Sequence, residues 1–145
     1  MNISFISDLH IDHHIKNQED PKIITSFIES IIKTDKSDKD VMVIAGDISH
    51  DNLVSDIVIK TFSEHYNHVF IVLGNHDYYL LNSQKEIYHN DSTLRATDLN
   101  AMCKAHQNVT LFNNHDQFLY NYKGILFSGC TMMCHPRTEA VSYTH

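Results

Sequence analysis

Three short, largely apolar runs, NISFIS (2–7), VMVIA (41–45) and VFIVL (69–73), each end in a polar cluster. The clusters are Asp8-Leu9-His10, Gly46-Asp47 and Gly74-Asn75-His76-Asp77. Between the runs lie two stretches whose apolar residues recur at helical spacing. In residues 21–34 they are Ile23, Ile24, Phe27, Ile28, Ile31 and Ile32, and in residues 52–66 they are Leu53, Val54, Ile57, Val58 and Phe62. Asp20 before Pro21 supplies an N-cap and a favourable first helical residue. The order strand, helix, strand, helix, strand predicts an α/β fold with a parallel sheet and right-handed crossovers. Unbroken apolar runs such as VMVIA suit strands covered on both faces.

Beyond Asp77 the pattern predicts a loop with a short helical turn over 78–90. A third helix over 91–106 follows, with Asp91 or Ser92 as cap. Short strands are expected at 108–112, 118–122 and 124–129, the last two forming a hairpin around Asn121–Gly124. No repeat, low-complexity tract or clear linker divides the 145 residues, a length that suits one domain with a real core.

In an open parallel sheet, ligands sit beyond the carboxyl ends of the strands. All three polar clusters lie at such ends. The topology therefore brings together Asp8 and His10, Asp47, and Asn75 and His76. Carboxylate, imidazole and amide oxygen form a mixed donor set suited to Mn, Fe, Zn or similar divalent ions. A carboxylate can bridge two ions. A pair of ions about 3.5–4 Å apart can acidify a shared water and clamp an in-line phosphoryl displacement. Gly46 and Gly74 permit tight turns that aim the following side chains inward.

Composition narrows the partners. The formal net charge of −7 argues against a dedicated nucleic-acid-binding surface, though not against nucleic acid as a substrate. Twelve His suit metal chemistry. Three Cys (Cys103, Cys130 and Cys134) make no disulfide framework and point to a reducing, cytoplasmic compartment. The N-terminus lacks the pattern of a signal peptide. No apolar run approaches the roughly 20 residues of a membrane span, so no membrane partner is expected.

The triplet D-x-H, GD and GNHD, each after a buried strand, resembles the calcineurin-like metallophosphoesterase family. Asp47 lies 39 residues after Asp8, and Asn75 lies 28 after Asp47, separations that suit that family. The resemblance covers residues 1–80 closely, and GILFSGCT (124–131) is similar to a later family strand. It implies a two-sheet sandwich with a βαβαβ N-terminal half. Asp8 and His10 would bind a first metal, Asp47 would bridge both, and Asn75 would bind the second. His76 would contact the phosphate and protonate the leaving oxygen. The implied activity is hydrolysis of a phosphomonoester or phosphodiester by hydroxide activated between two divalent ions (Mn, Fe, Zn or Mg). Nucleotides, nucleic acids, phosphoproteins and lipid head groups all fit as substrates, and no protein partner is evident.

Two departures stand out. Many family members carry GDxxD, whose second Asp orients the catalytic His. The corresponding position here is His50, with Asp51 one residue later. The family also needs further His-bearing segments, and nothing between Gly129 and His145 matches them. The expectation is therefore one domain over 1–145, C-terminally truncated, with an incomplete second sheet and little activity of its own. The alternative is a truncated or non-catalytic protein of the same fold that binds or scaffolds.

Other residues have bland readings beside sharp ones. His13 and His14 read as loop histidines. His50 or Asp51 reads as a helix cap as readily as a catalytic group. Asp77 either orients its neighbours or caps the turn. Cys130, Cys134 and His135 have possible zinc spacing but no evident fourth ligand, and Tyr143-Thr144-His145 only faintly echoes later family motifs. Tyr78 and Tyr79 could line a groove or pack under the loop.

Overall fold

The computed structural model describes residues 1–18, 20–32, 40–113 and 117–131. Its elements run β1 (Ile3–Ser7), α1 (Ile11–His14), α2 (Pro21–Ile31), β2 (Val41–Ala45), α3 (Asn52–His65), β3 (His68–Val72), a 3-10 turn (His76–Tyr78), α4 (Asn82–Ile87), α5 (Ser92–Lys104), β4 (Val109–Leu111), β5 (Leu119–Tyr122) and β6 (Ile125–Ser128). The expected βαβαβ unit is present, and β4 extends it to a four-stranded parallel sheet of order β1-β2-β3-β4. Strands β5 and β6 form the expected antiparallel hairpin, turning through Lys123 and Gly124, both at positive φ.

A sequential strand order with crossovers of one hand puts every helix on one face. Accordingly Ile24 and Ile28 of α2, Val58, Ile59 and Phe62 of α3, and Leu99 and Cys103 of α5 share one core with Met42, Ile44, Val69, Ile71 and Leu111 of the sheet. The opposite face of the sheet carries Val41, Phe70 and Phe112, against which Tyr120, Tyr122 and Phe127 of the hairpin pack. That explains the unbroken apolar sequence of β2 and β3. The edge strand β1 alternates instead, and Phe5 is 83% exposed.

The helices start where the sequence places them. The carboxylate of Asp20 accepts the Lys22 N–H, and Asp91 accepts that of Thr93. Asp51, not His50, caps α3 by accepting the N–H groups of Leu53 and Val54. Two apolar assignments need correction. Leu53 is 67% exposed and Ile23 is 41% exposed, while Ile59, absent from the expected stripe, is fully buried. The four-residue α1 was not legible as a helix, being shorter than one full heptad of pattern. Cys134, His135 and Tyr143-Thr144-His145, and the last turn expected for α2 at 33–34, lie outside the described residues. Cys103 is a free, buried thiol that burial pushes up to about 12, and Cys130 is free and exposed.

His68 stands at the start of β3, 4% exposed, with its ring 4.5 Å from Phe70, 4.8 Å from Tyr120 and 5.2 Å from Tyr122. Its Nε2 lies 2.9 Å from the Thr110 hydroxyl. Burial lowers its pKa below the ordinary 6.5. The unfolded chain then binds the proton more readily, so the contribution of His68 to stability is complete above about pH 6.5 and is lost as pH falls toward the folded value. His68→Phe should flatten the acid limb of stability, by up to ~1.4 kcal/mol per pH unit. Urea midpoints at several pH values compare the slopes, and an unchanged slope would count against a buried neutral ring.

Candidate metal centre

Register decides the site. Ser7, Ala45 and Val72 are mutual partners at the carboxyl ends of β1, β2 and β3. Adjacent strands lie about 4.8 Å apart, so three polar loops start side by side. Backbone hydrogen bonds zip the first two: Asp8 N–H to Gly46 C=O (3.2 Å), His10 N–H to Asp47 C=O (2.9 Å) and Ile11 N–H to Ile48 C=O (3.1 Å).

The carboxylate of Asp77, fully buried, fastens the third loop to the second. One oxygen accepts the N–H groups of Asp47 (2.7 Å) and Gly74 (2.8 Å), and the other accepts that of Ile48 (3.1 Å). Burial raises its pKa above the ordinary range, against the pull of these three donors, and the charge of Asp47 adds to the rise. Of the two readings open for Asp77, orientation of its neighbours is the one the structure bears out.

Both glycines are required, for different reasons. Gly46 has φ +77, and a Cβ there would lie 2.6 Å from the Gly74 Cα. A Cβ on Gly74 would run into the carboxylate of Asp47, 2.7 Å from its Cγ. The second glycine therefore serves close approach rather than a turn. Asp8, His10 and Asp47 all adopt positive φ (51, 39 and 54), a conformation uncommon for side-chain-bearing residues and concentrated at functional sites.

The side chains converge unevenly. Asp47 is 7% exposed, its Oδ1 accepting the His76 N–H at 2.8 Å and its Oδ2 3.9 Å from His10 Nε2. Ligand atoms of His10, Asp47 and His76 all lie within 4.8 Å of one another, as do those of His10, Asp12 and His13. Asp8 and Asn75 are exposed, and Asp8 enters neither group. The Asn75 amide donates to the Tyr79 hydroxyl at 3.0 Å. Imidazole and carboxylate at such separations are the donors that divalent transition ions take, so the residues present fit a metal.

Three further residues belong to this place. The Asp12 carboxylate and the His50 ring are 2.6 Å apart, and His50 Nε2 lies 3.1 Å from His76 Nδ1. Arg95, fully buried, donates to the carbonyls of Ser49 (2.8 Å), His76 (3.0 Å) and Tyr79 (2.6 Å) and to the Asn52 side chain (3.1 Å). It ties the second and third loops to α5. The available signal was its place on the buried stripe Arg95, Leu99, Cys103, where a charge has no business without partners. Tyr79 lies with its ring 4.6 Å from that of His76 and is half exposed, on the site side of the loop.

No helix among the described residues is long and apolar enough to cross a membrane. No curated protein and no solved structure matches the chain. A family model described as calcineurin-like phosphoesterase matches residues 1–136, a span that includes every loop of this centre. The parallel sheet, the small antiparallel sheet and the His and Asp groups at the strand ends are consistent with that match, and the chain belongs to the calcineurin-like phosphoesterase family.

Proposed function

We propose that the protein hydrolyses a phosphomonoester or phosphodiester at a two-metal centre. Asp8 and His10 would hold one ion, Asp47 would bridge, Asn75 would hold the second, and His76 would be the catalytic acid. The convergence of His10, Asp47 and His76 ligand atoms within 4.8 Å is the observation that carries this reading. When bound, divalent ions supply Lewis acidity and an acidified water. The chain's own residues do the rest. Asp77 and Arg95 fix the loops. Asp47 fixes the peptide N–H of His76. The His76 ring, 4.8 Å edge-on from that of His10, would contact the phosphate and give a proton to the leaving oxygen. The substrate is a nucleotide, a nucleic acid or a phosphoprotein.

Elemental analysis should find two ions per chain after incubation with Mn²⁺ and gel filtration. Hydrolysis of nitrophenyl phosphate or its diester should then be detectable, at the low rate expected of this chain alone, and chelation should abolish it. None or one weakly held ion, with no hydrolysis of either ester, would favour a binding or scaffold protein instead.

A further inference from the structure

His50 sits on the loop after β2, and His76 on the loop after β3. The backbone of His50 is held twice: its N–H donates to Asp12 Oδ1 at 3.0 Å, and its carbonyl accepts the Gln84 amide at 2.7 Å. Its ring meets Asp12 Oδ2 through Nδ1 at 2.6 Å and His76 Nδ1 through Nε2 at 3.1 Å. A line of contacts therefore crosses the three strand ends in order, Asp12 to His50 to His76. We propose that Asp12 and His50 together position His76, keeping its Nδ1–H on His50 and turning Nε2 to the substrate, so that the neutral ring is the Nδ1–H tautomer and the proton given to the leaving oxygen is one that Nε2 has first taken up from solvent.

The reasoning is donor counting. A carboxylate only accepts, so the proton between Asp12 and His50 sits on His50 Nδ1. The Nε2 of neutral His50 is then an acceptor, and the 3.1 Å contact requires His76 Nδ1 to donate. Both oxygens of Asp12 face donors of His50, Oδ1 the backbone N–H at 3.0 Å and Oδ2 the ring Nδ1 at 2.6 Å. The neighbouring rings of His10 and Tyr79 pack against His76 at 4.8 and 4.6 Å and restrict its rotation without choosing its tautomer. Where many family members use one acidic residue, this chain uses a carboxylate and an imidazole in series. His50 and Asp12 are positioning residues, and the role given to His76 rests on the function proposed above.

The first test needs no turnover. Long-range ¹H–¹⁵N spectra of metal-free protein with labelled histidines, at mildly alkaline pH, report each tautomer. His76 should be Nδ1–H in the parent chain and revert in His50→Ala toward the Nε2–H form that a free histidine side chain prefers. A parent His76 already in the Nε2–H form, or one unmoved by His50→Ala, overturns the proposal. His50→Gln gives the same comparison with more of the side-chain volume kept. In Mn²⁺-loaded protein, His50→Ala should lower kcat about 10–10²-fold at nearly constant KM, the cost of a slightly misplaced group. Asp12→Asn should add little in that background. Losses that multiply, or loss of metal in Asp12→Asn, overturn it, the latter because Asp12 would then be a ligand beside His10 and His13. Absence of phosphoester hydrolysis in the parent chain would count against the proposed function alone, since the tautomer measurement stands without it.

Discussion

Asp47→Asn is expected to remove more bound metal than any other single change at the centre. The side chain is nearly buried, with one oxygen committed to the His76 N–H and the other turned toward His10. Asparagine can keep the first contact. It cannot keep the second, because an amide NH₂ would face the imidazole and carries no charge to offset a cation. The backbone of residue 47 is bound through Asp77 and stays in place, so the loss should be chemical rather than a collapse of the loop. Loss of an outer partner alone lowers metal affinity roughly 10–100-fold, and a direct bridging ligand should cost more. Metal content after dialysis, measured alongside His10→Ala and Asn75→Ala, decides the point. If Asp47→Asn retains more metal than both, the bridging assignment is wrong.

The same loop shows how far a sequence can be read. Strand ends, most of each helix face and the meeting of His10, Asp47 and His76 follow from periodicity and from the rule for parallel sheets, because both depend on backbone geometry that apolar patterning dictates. The hairpin followed from its turn. What was hidden depends on side-chain reach across sequence distance. Asp77 is three residues from Gly74 yet also binds the N–H groups of residues 47 and 48. Arg95 reaches carbonyls 16 to 46 positions away. Asp12 meets His50 across 38. Such contacts leave no periodic trace, and at position 50, where an acid was sought, stands a histidine whose carboxylate partner comes from another strand end. Asp8 and Asn75 are exposed rather than drawn into the tight group. Their place as ligands rests on the family pattern carried over to these positions.

His76→Ala should keep the metal and lose catalysis. Its peptide is fixed independently of its ring, the N–H by Asp47 and the carbonyl by Arg95, so truncation should leave the loop where it is. The ring itself contacts His50, His10 and Tyr79. A positioned general acid contributes typically 10²–10⁴-fold. The expected loss is of that order for an alkyl phosphoester, whose leaving oxygen must be protonated as the bond breaks. It should be much smaller for nitrophenolate, a leaving group stable as the anion. Equal losses on both substrates would argue against proton donation and leave phosphate contact as the role. Metal content supplies the other discrimination. Because a ligand atom of His76 lies within 4.8 Å of those of His10 and Asp47, a direct metal contact is geometrically open. Loss of an ion in His76→Ala would move the residue from acid to ligand, and the leaving-group dependence would then disappear with it.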